Sequence, residues 1–270
     1  MPVLLPDDGF RYEPHESARE RKAGVVERFA MIDRTLPSPY NAFAAFLNLG
    51  YVANENVQHA VRMPRDAVFN RLSTKLLFEV LGSCDLDGRV LFEVGAGRGG
   101  NVAAIQRAYR PAMLAGLDVS SANAEFCQRH HTIARGGFVV GDAEHLPFRD
   151  ESADVILNLE SSHYYPHLTR FFDEVHRVLV PGGELLYADI LPAETFNAAV
   201  TYLDERGFEI TRDQDISSNV LLSCTAIATL RERTQSKGLY DTFLVLPGSA
   251  EFESLSAGRT RYKIVTLRKP

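Results

Sequence analysis

Between Arg89 and Leu191 the chain alternates between two apolar patterns, and this alternation constrains the fold more than any other feature. Short β-rich runs occur at RVLFEVG (89–95), AMLAGLDV (112–119), GFVVGDAEHLPF (137–148, a strand with a loop), ADVILNLE (153–160) and GGELLYADIL (182–191). Helical stretches separate them at NVAAIQRAY (101–109), SANAEFCQRHHTIA (121–134) and HLTRFFDEVHRVLV (167–180). Strands spaced by helices of about ten or more residues form a parallel sheet covered on both faces. The expected fold is therefore α/β, doubly wound. After Thr195 the pattern continues with a helix near FNAAVTYLDERG, a strand at FEITRDQDI (208–216), a long apolar helix at SNVLLSCTAIATLRERTQ (218–235) and a closing β-like TRYKIVTLRK (260–269).

Ahead of the alternation, ESARERKAGVVERF reads as one amphipathic helix in a charge-rich arm, and TLPSPY breaks it. The apolar stretch NAFAAFLNLGYVANENV, without a clean period, fits a lid, and RLSTKLLFEVL (71–81) a helix stopped by Gly82. The expected division is an arm and lid over 1–70 and a core over 71–270, with 218–257 as a helical substrate-covering insertion. Lys and Arg number 29 against 35 Asp and Glu, a net charge of -6, the wrong sign for binding phosphate backbones. No run reaches the roughly 18 to 20 apolar residues that span a bilayer, and MPVLLPDDGFRYEPHE turns acidic where a leader would stay apolar. The chain thus reads as cytoplasmic, with no nucleic acid or membrane partner and with homo-oligomerisation left open. Cys84, Cys127 and Cys224 have no metal-ligand spacing and read as ordinary thiols.

The chemistry begins at Glu93-Val94-Gly95-Ala96-Gly97-Arg98-Gly99-Gly100, which follows a strand and opens a helix. Glycines there let the backbone turn sharply and bring N–H groups against a ligand. Asp118, at the end of the next strand, is placed to accept ribose hydroxyls. Up to this point a nicotinamide enzyme and a methyltransferase look alike. Glu93 separates them, because a carboxylate there repels a pyrophosphate and suits the cationic amino acid end of S-adenosylmethionine. Asp142, within Gly141-Asp142-Ala143-Glu144, is placed to accept an adenine amino group. The last strand suits an antiparallel position between the fifth and sixth.

Together VLFEVGAGRGG, GLDVS, GDAEHLPF, ADVILNLESSHYYPH and VLVPGGELLYADIL resemble the successive motifs of class I S-adenosylmethionine-dependent methyltransferases, over roughly Val90 to Leu191. The resemblance implies a Rossmann-like sheet of order 3-2-1-4-5-7-6, helices on both faces, an N-terminal helical lid and S-adenosylmethionine as cofactor. It implies cofactor contacts at Glu93, Gly95, Ala96, Gly97 and Gly99, at Asp118 and Val119, at Gly141, Asp142, Ala143 and Glu144, and at Leu159. Tyr51 is a candidate to close over the cofactor and Arg71 to reach its carboxylate, each with a packing or surface role as the alternative.

LNLGYV, NLESSHYYPH and PGGELLYADI further resemble natural-product small-molecule O-methyltransferases, of the phthiotriolone and phenolphthiotriolone dimycocerosate type and the antibiotic-sugar type. In the sugar enzymes a histidine in the ES-x-H position is the base, assisted by an aspartate at the end of strand five, which here correspond to His163 and Asp189. Methyl transfer to a hydroxyl calls for such a base, and an imidazole with an ordinary pKa of about 6.5 is largely neutral at pH 7. His167 reads as a helix boundary, Tyr164 and Tyr165 as pocket or packing residues, and His130 and His131 as surface. A magnesium site at Glu160 and Asp189 is the weaker reading, since Ile190 and Leu191 follow Asp189 where a second ligand would stand, so no metal is expected. Phe43 to Val52 and the helix from Val220 to Leu230 are expected to roof the pocket. The leading expectation is O-methylation of a hydrophobic or glycosylated small-molecule acceptor. An amine acceptor, a non-catalytic methyltransferase-like binding subunit and a nicotinamide oxidoreductase are the alternatives.

Overall fold

The computed structural model describes residues 17–35, 44–53, 70–234 and 245–270. Phe43 and parts of the expected lid and of the 218–257 segment lie outside them. In chain order the elements are α1 (Ala18–Thr35), α2 (Arg71–Leu81), β1 (Val90–Val94), α3 (Gly100–Ala108), β2 (Met113–Asp118), α4 (Ser121–His130), β3 (Gly136–Val140) and β4 (Ala153–Leu159). A 3-10 turn (Ser162–Tyr164) follows, then α5 (Leu168–Val178), β5 (Leu179–Pro192), α6 (Ala193–Glu205), β6 (Glu209–Asp215), α7 (Ser217–Thr234), α8 (Ala250–Ser256) and β7 (Thr260–Arg268).

The strands form one sheet in the order β3-β2-β1-β4-β5-β7-β6. Strands β1 to β5 pair in parallel, whereas β7 is antiparallel to both β5 and β6. Neighbouring residues on the central strands enter different cores. Leu91, Val155, Leu157, Leu186 and Ala188 pack on one face with residues of α2, α3 and α7. Phe92, Ile156, Leu185 and Tyr187 pack on the other with residues of α5 and α6. A sheet buried on both sides explains why these strands read as nearly unbroken apolar runs.

Helix α5 shows how sequence spacing becomes packing. Leu168, Phe171, Phe172, Val175 and Val178 recur at helical intervals and are all buried, each large side chain contributing about 1.5–3 kcal/mol. Helix α2 stops where Gly82 takes φ 55° and its N–H returns to the Phe78 carbonyl. Ser120 caps α4 through its side chain. At one edge of the sheet, β6 alternates exposed and half-buried positions along EITRDQD, a charged border that discourages strand pairing from outside.

Parallel pairing brings the carboxyl ends of the strands to one side, with Asp118 opposite Val140, Glu93 opposite Leu157 and Leu159 opposite Ala188. In open α/β sheets ligands bind outside those ends, at the point where the strand order reverses. Here that point lies between β1 and β4.

Candidate active site

The glycine loop is fastened to the end of β2. Gly95 and Ala96 donate their N–H groups to the Leu117 carbonyl at 2.8 Å, and Gly97 donates to Asp118 Oδ2 at 2.8 Å. Gly95 has φ +76°, and a Cβ there would lie 1.8 Å from Ser161 Oγ, so both conformation and space demand glycine. Asp118 Oδ1 also accepts from the Ser120 N–H and the Asn123 amide. Burial nevertheless pushes the Asp118 carboxyl above its ordinary range, against the pull of those donors.

A cleft opens at this point with an empty volume of about 880 Å³, counted out to its mouth. Gly95, Ala96 and Gly97 line its floor, Asp118 and Val119 one wall, and Gly141, Asp142 and Ala143 the far end. Leu159 and Glu160 close the side next to β4. Nine of the residues that the sequence marked as cofactor contacts border this one cavity.

Behind the loop, Glu93 is 1% exposed and accepts from the Asn101 amide at 2.7 Å. Burial pushes its carboxyl up to about 8, reinforced by the charge of Asp118 and opposed by donors from Asn101 and the Val102 N–H. Glu93 Oε2 and Asn101 Oδ1 are both buried and find no donor among the described residues. Once Glu93 gives up its proton, its carboxylate and the Asn101 carbonyl form a setting for a cationic donor, and Asn101 lines the cleft.

The cover comes from two segments distant in sequence. Arg98 is buried with its guanidinium carbon 3.4 Å from the Phe126 ring centroid, and its Nε donates to the Ala44 carbonyl at 2.7 Å. Gly100 N–H reaches the Ala45 carbonyl, and Leu49 N–H reaches Glu160 Oε2 at 2.9 Å. Ala45 to Asn48 thereby line the cleft. Helix α1, expected as a charged arm, is seated over the opening, with Lys22, Val25 and Phe29 all facing the cavity. Lys22 Nζ contacts Asp142 Oδ2 at 2.7 Å and Glu144 Oε2 at 2.9 Å. Partial burial works against ionisation of Asp142, but Lys22 holds its carboxyl below the ordinary range. Nothing in the sequence marked Lys22, Phe29 or Arg98, whose roles arise from contacts across the fold, or Asn101, which reaches back eight residues to Glu93.

Several expected residues lie elsewhere. Tyr51 is packed in the core, its N–H donating to the Leu72 carbonyl, and does not reach the cleft. Arg71 is exposed at the start of α2 and is likewise absent from the cleft lining. Glu144 stands behind Asp142, engaged by Lys22 and by the His167 N–H. Gly99 turns the chain into α3 with φ 73° and packs against His131 and Phe138. His131 is therefore half-buried, with Nε2 2.8 Å from the Arg98 carbonyl, and is not the surface residue expected. His130 is exposed and lies against Phe126, while His167 is the N-cap of α5. Helix α7 does not line the cleft. Its Asn219 and Ser223 brace residues 49–52 from behind through bonds to the carbonyls of Val52 and Leu49, and Leu222 and Leu230 are exposed. Cys127 and Cys224 are buried and Cys84 half-buried, none in a disulfide.

At the ends of β4 and β5 a second group of side chains converges. Glu160 holds φ 53°, and its Oε2 accepts from Leu49 N–H and Tyr262 OH. His163, in the 3-10 turn, places Nδ1 2.6 Å from Asp189 Oδ1, and its own N–H lies 3.1 Å from Asp189 Oδ2. Both residues are buried, at 4% and 0% exposure. Burial alone would raise the Asp189 carboxyl, but His163 and the donors from Ser162 and Ile190 hold it below the ordinary range. His163 Nε2 hydrogen-bonds to no described residue. The His163 ring lies tilted against Tyr164 at 4.1 Å between ring centres, Tyr164 lines the cleft, and Phe29 of α1 meets Tyr164 edge-on at 5.8 Å. His163 thus sits one ring behind the cavity wall.

A family model described as a methyltransferase domain matches residues 92–187. A fatty-acid O-methyltransferase of Mycolicibacterium smegmatis is 35% identical over 238 residues, covering 83% of each chain. Phthiotriol/phenolphthiotriol dimycocerosates methyltransferase 1 of Mycobacterium ulcerans is 41% identical over 149 residues, or 55% of this chain and 54% of that one. Among solved structures, the [4+2]-cyclase SpnF superposes with a TM-score of 0.68 at 22% identity, covering 97% of this chain and 99% of that one. Geranyl diphosphate C-methyltransferase from Streptomyces coelicolor A3(2), in complex with Mg2+, geranyl diphosphate and S-adenosyl-L-homocysteine, gives 0.66 at 16% identity, with coverages of 94% and 100%. At these identities the two structures speak for the fold.

Proposed function

Since this chain belongs to the S-adenosylmethionine-dependent methyltransferases, we propose that it methylates a hydroxyl oxygen of a lipid-like small molecule, with His163 as the general base. The cofactor supplies, when bound, a methyl carbon activated by a sulfonium. The residues present fit it: the unpartnered acceptors of Glu93 and Asn101 suit an ammonium, Asp118 borders the loop that a ribose would meet, and Asp142 stands at the far end with Ala143 and Val119.

One observation carries the choice of oxygen and base. The 2.6 Å contact between His163 Nδ1 and Asp189 commits the Nδ1 proton to a carboxylate, which leaves Nε2 as an acceptor with no described partner. An imidazole in that tautomer removes a proton from a hydroxyl that reaches it past Tyr164, the ring between His163 and the cavity, and the buried Asp189 charge steadies the imidazolium that results. Such a base is superfluous for an acceptor that is already an anion. The surroundings agree, because Asp118, Asp142 and Glu160 line the cleft while Lys22 and Arg98, the cations lining it among the described residues, are already engaged by protein groups. An acidic cleft disfavours a carboxylate acceptor. Asp189 is unsuited to a metal in the same geometry, with both its oxygens already accepting from protein donors. Among the described residues, no group of three His, Cys, Asp or Glu is arranged to hold a metal.

The names of the two relatives support a lipid-like acceptor. One of them also favours a second reading, methylation of a fatty-acid carboxylate, in which a protonated His163 would hold the anion. The test offers the full-length enzyme a long-chain alcohol, amine and fatty acid of equal chain length and follows methyl ether, methylamine and methyl ester. The expected result is ether formation that falls on acidification and drops by at least about 100-fold in His163→Ala. Ester formation that falls as pH rises would favour the carboxylate. Methylation of the amine, undiminished in His163→Ala, would point to nitrogen.

A further inference from the structure

We infer that Ser162, backed by Tyr187, is a positioning residue for this reaction that restrains the basicity of the His163–Asp189 pair, an assignment that rests on the reading of His163 as base. Ser162 Oγ lies 2.5 Å from Asp189 Oδ2 and 2.7 Å from Tyr187 OH, and both Ser162 and Tyr187 are 0% exposed. Asp189, as a carboxylate, has no proton to give, so the serine proton points to Oδ2 and the tyrosine proton points to Ser162 Oγ. The chain of donors therefore runs one way, from Tyr187 through Ser162 to Asp189.

Among the described residues, Asp189 accepts four hydrogen bonds. Oδ1 takes the His163 Nδ1 proton and the Ile190 N–H at 2.7 Å, and Oδ2 takes the Ser162 hydroxyl and the His163 N–H. Three of these donors come from consecutive residues of one 3-10 turn, so a single buried carboxylate fixes the backbone, the ring orientation and the tautomer of His163 together. Each donor also draws charge from the carboxylate. Removing the serine hydroxyl leaves more negative charge facing the imidazolium, which favours the protonated ring and depletes the neutral base at a given pH. A serine acting only as packing would affect stability and leave this balance alone.

Three tyrosine hydroxyls and one carboxylate surround the pair among the described residues. Tyr187 on β5, Tyr165 after β4 and Tyr262 on β7 all feel the Asp189 charge, and burial holds each hydroxyl above its ordinary tyrosine value. Glu160, hydrogen-bonded to Tyr262, is the neighbouring carboxylate, and Tyr164 is the ring tilted against His163.

The test is the ring titration of His163, followed by NMR in the full chain labelled on histidine and assigned with His163→Asn, beside the pH profile of kcat. In Ser162→Ala the titration midpoint and the acid limb of kcat should both move up by at least about half a pH unit. Ser162→Thr, which keeps the hydroxyl, should restore both, and Tyr187→Phe should give a smaller shift in the same direction. An unmoved midpoint in Ser162→Ala overturns the inference, and if that variant does not fold, an unmoved midpoint in Tyr187→Phe does so. If the ring titration shifts while His163→Ala retains activity, the role of His163 as base fails separately, and Ser162 sets only the protonation of the pair.

Discussion

Glu93 gives the most demanding test of the site's electrostatics. Its carboxyl is pushed by burial from an ordinary 4.5 up to about 8, so between those pH values the native protein keeps a proton that the unfolded chain has released. Below about pH 4.5 both states hold the proton and this group has no effect on stability. As pH rises through the window the native state becomes progressively less stable, and above about 8 the loss is complete. The gap is about three and a half powers of ten in proton affinity, or about 5 kcal/mol at roughly 1.4 kcal/mol per pH unit. Between about pH 6 and pH 7.5 it corresponds to about 2 kcal/mol. Glu93→Gln keeps the shape and an acceptor for the Asn101 amide but cannot ionise. Urea unfolding of both proteins at those two pH values, without cofactor, should show the wild type losing about 2 kcal/mol more than the variant. Parallel losses would mean that Glu93 ionises as freely in the fold as in the unfolded chain, and its burial would then have been misread.

Cofactor binding should be coupled to the same proton: titration calorimetry with S-adenosylhomocysteine near pH 7, in buffers of different ionisation heat, should register close to one proton released by wild type and none by Glu93→Gln. Asp118→Ala removes the acceptor for Gly97, Ser120 and Asn123, and the same calorimetry should show marked weakening of binding. Gly95→Ala forces a side chain into φ +76° and onto Ser161 Oγ; we expect a loss of at least about 2 kcal/mol in unfolding free energy, read from urea denaturation. Phe172→Ala, in the fully buried layer under α5, should cost about 3–5 kcal/mol in the same assay while leaving the cofactor stoichiometry intact.

The legible parts of this molecule are those that repeat or lie close together in the chain. Strands β1, β2, β4 and β5 were visible because burial on both faces makes them largely apolar, and β3, at the sheet's other edge and mostly exposed, was visible from its β-rich run; Gly82 marked the end of α2 because its backbone turns positive in φ there. The strand-end part of the cleft was visible for a related reason: Asp118 ends a strand, Gly95 to Gly97 and Gly141 to Ala143 follow one, and the parallel topology gathers strand ends. Contacts made across the sequence left no local trace. Lys22 meets Asp142 across 120 residues, and Arg98 meets Ala44 across 54. Tyr51 and Arg71 were plausible candidates from their nearness to the lid in sequence, but the direction of a side chain is set by packing. Leu72 takes the backbone of Tyr51 and draws its ring into the core. His131 was mistaken for a surface residue because its environment consists of Phe126, Phe138 and the Arg98 carbonyl, which no helical periodicity reveals.

The order of strands at the far edge bears on how the protein is made. β6 is synthesised before β7, yet its one neighbour in the sheet is β7, which wedges between it and β5. While the ribosome is still translating residues 216 to 259, the strand Glu209–Asp215 has no partner to zip against, and an exposed strand in a nascent chain is a seed for clumping with its neighbours. EITRDQD carries four charges in seven residues, which lets it wait in water until Thr260–Arg268 arrives and locks both strands at once. The hydrophilic character of that border strand therefore protects the polypeptide at birth as well as the finished molecule, and replacing Glu209 and Asp213 with valine should lower soluble yield more than it lowers the melting temperature, whereas Arg212 is held to the buried Glu79 and would be a poor choice for that test.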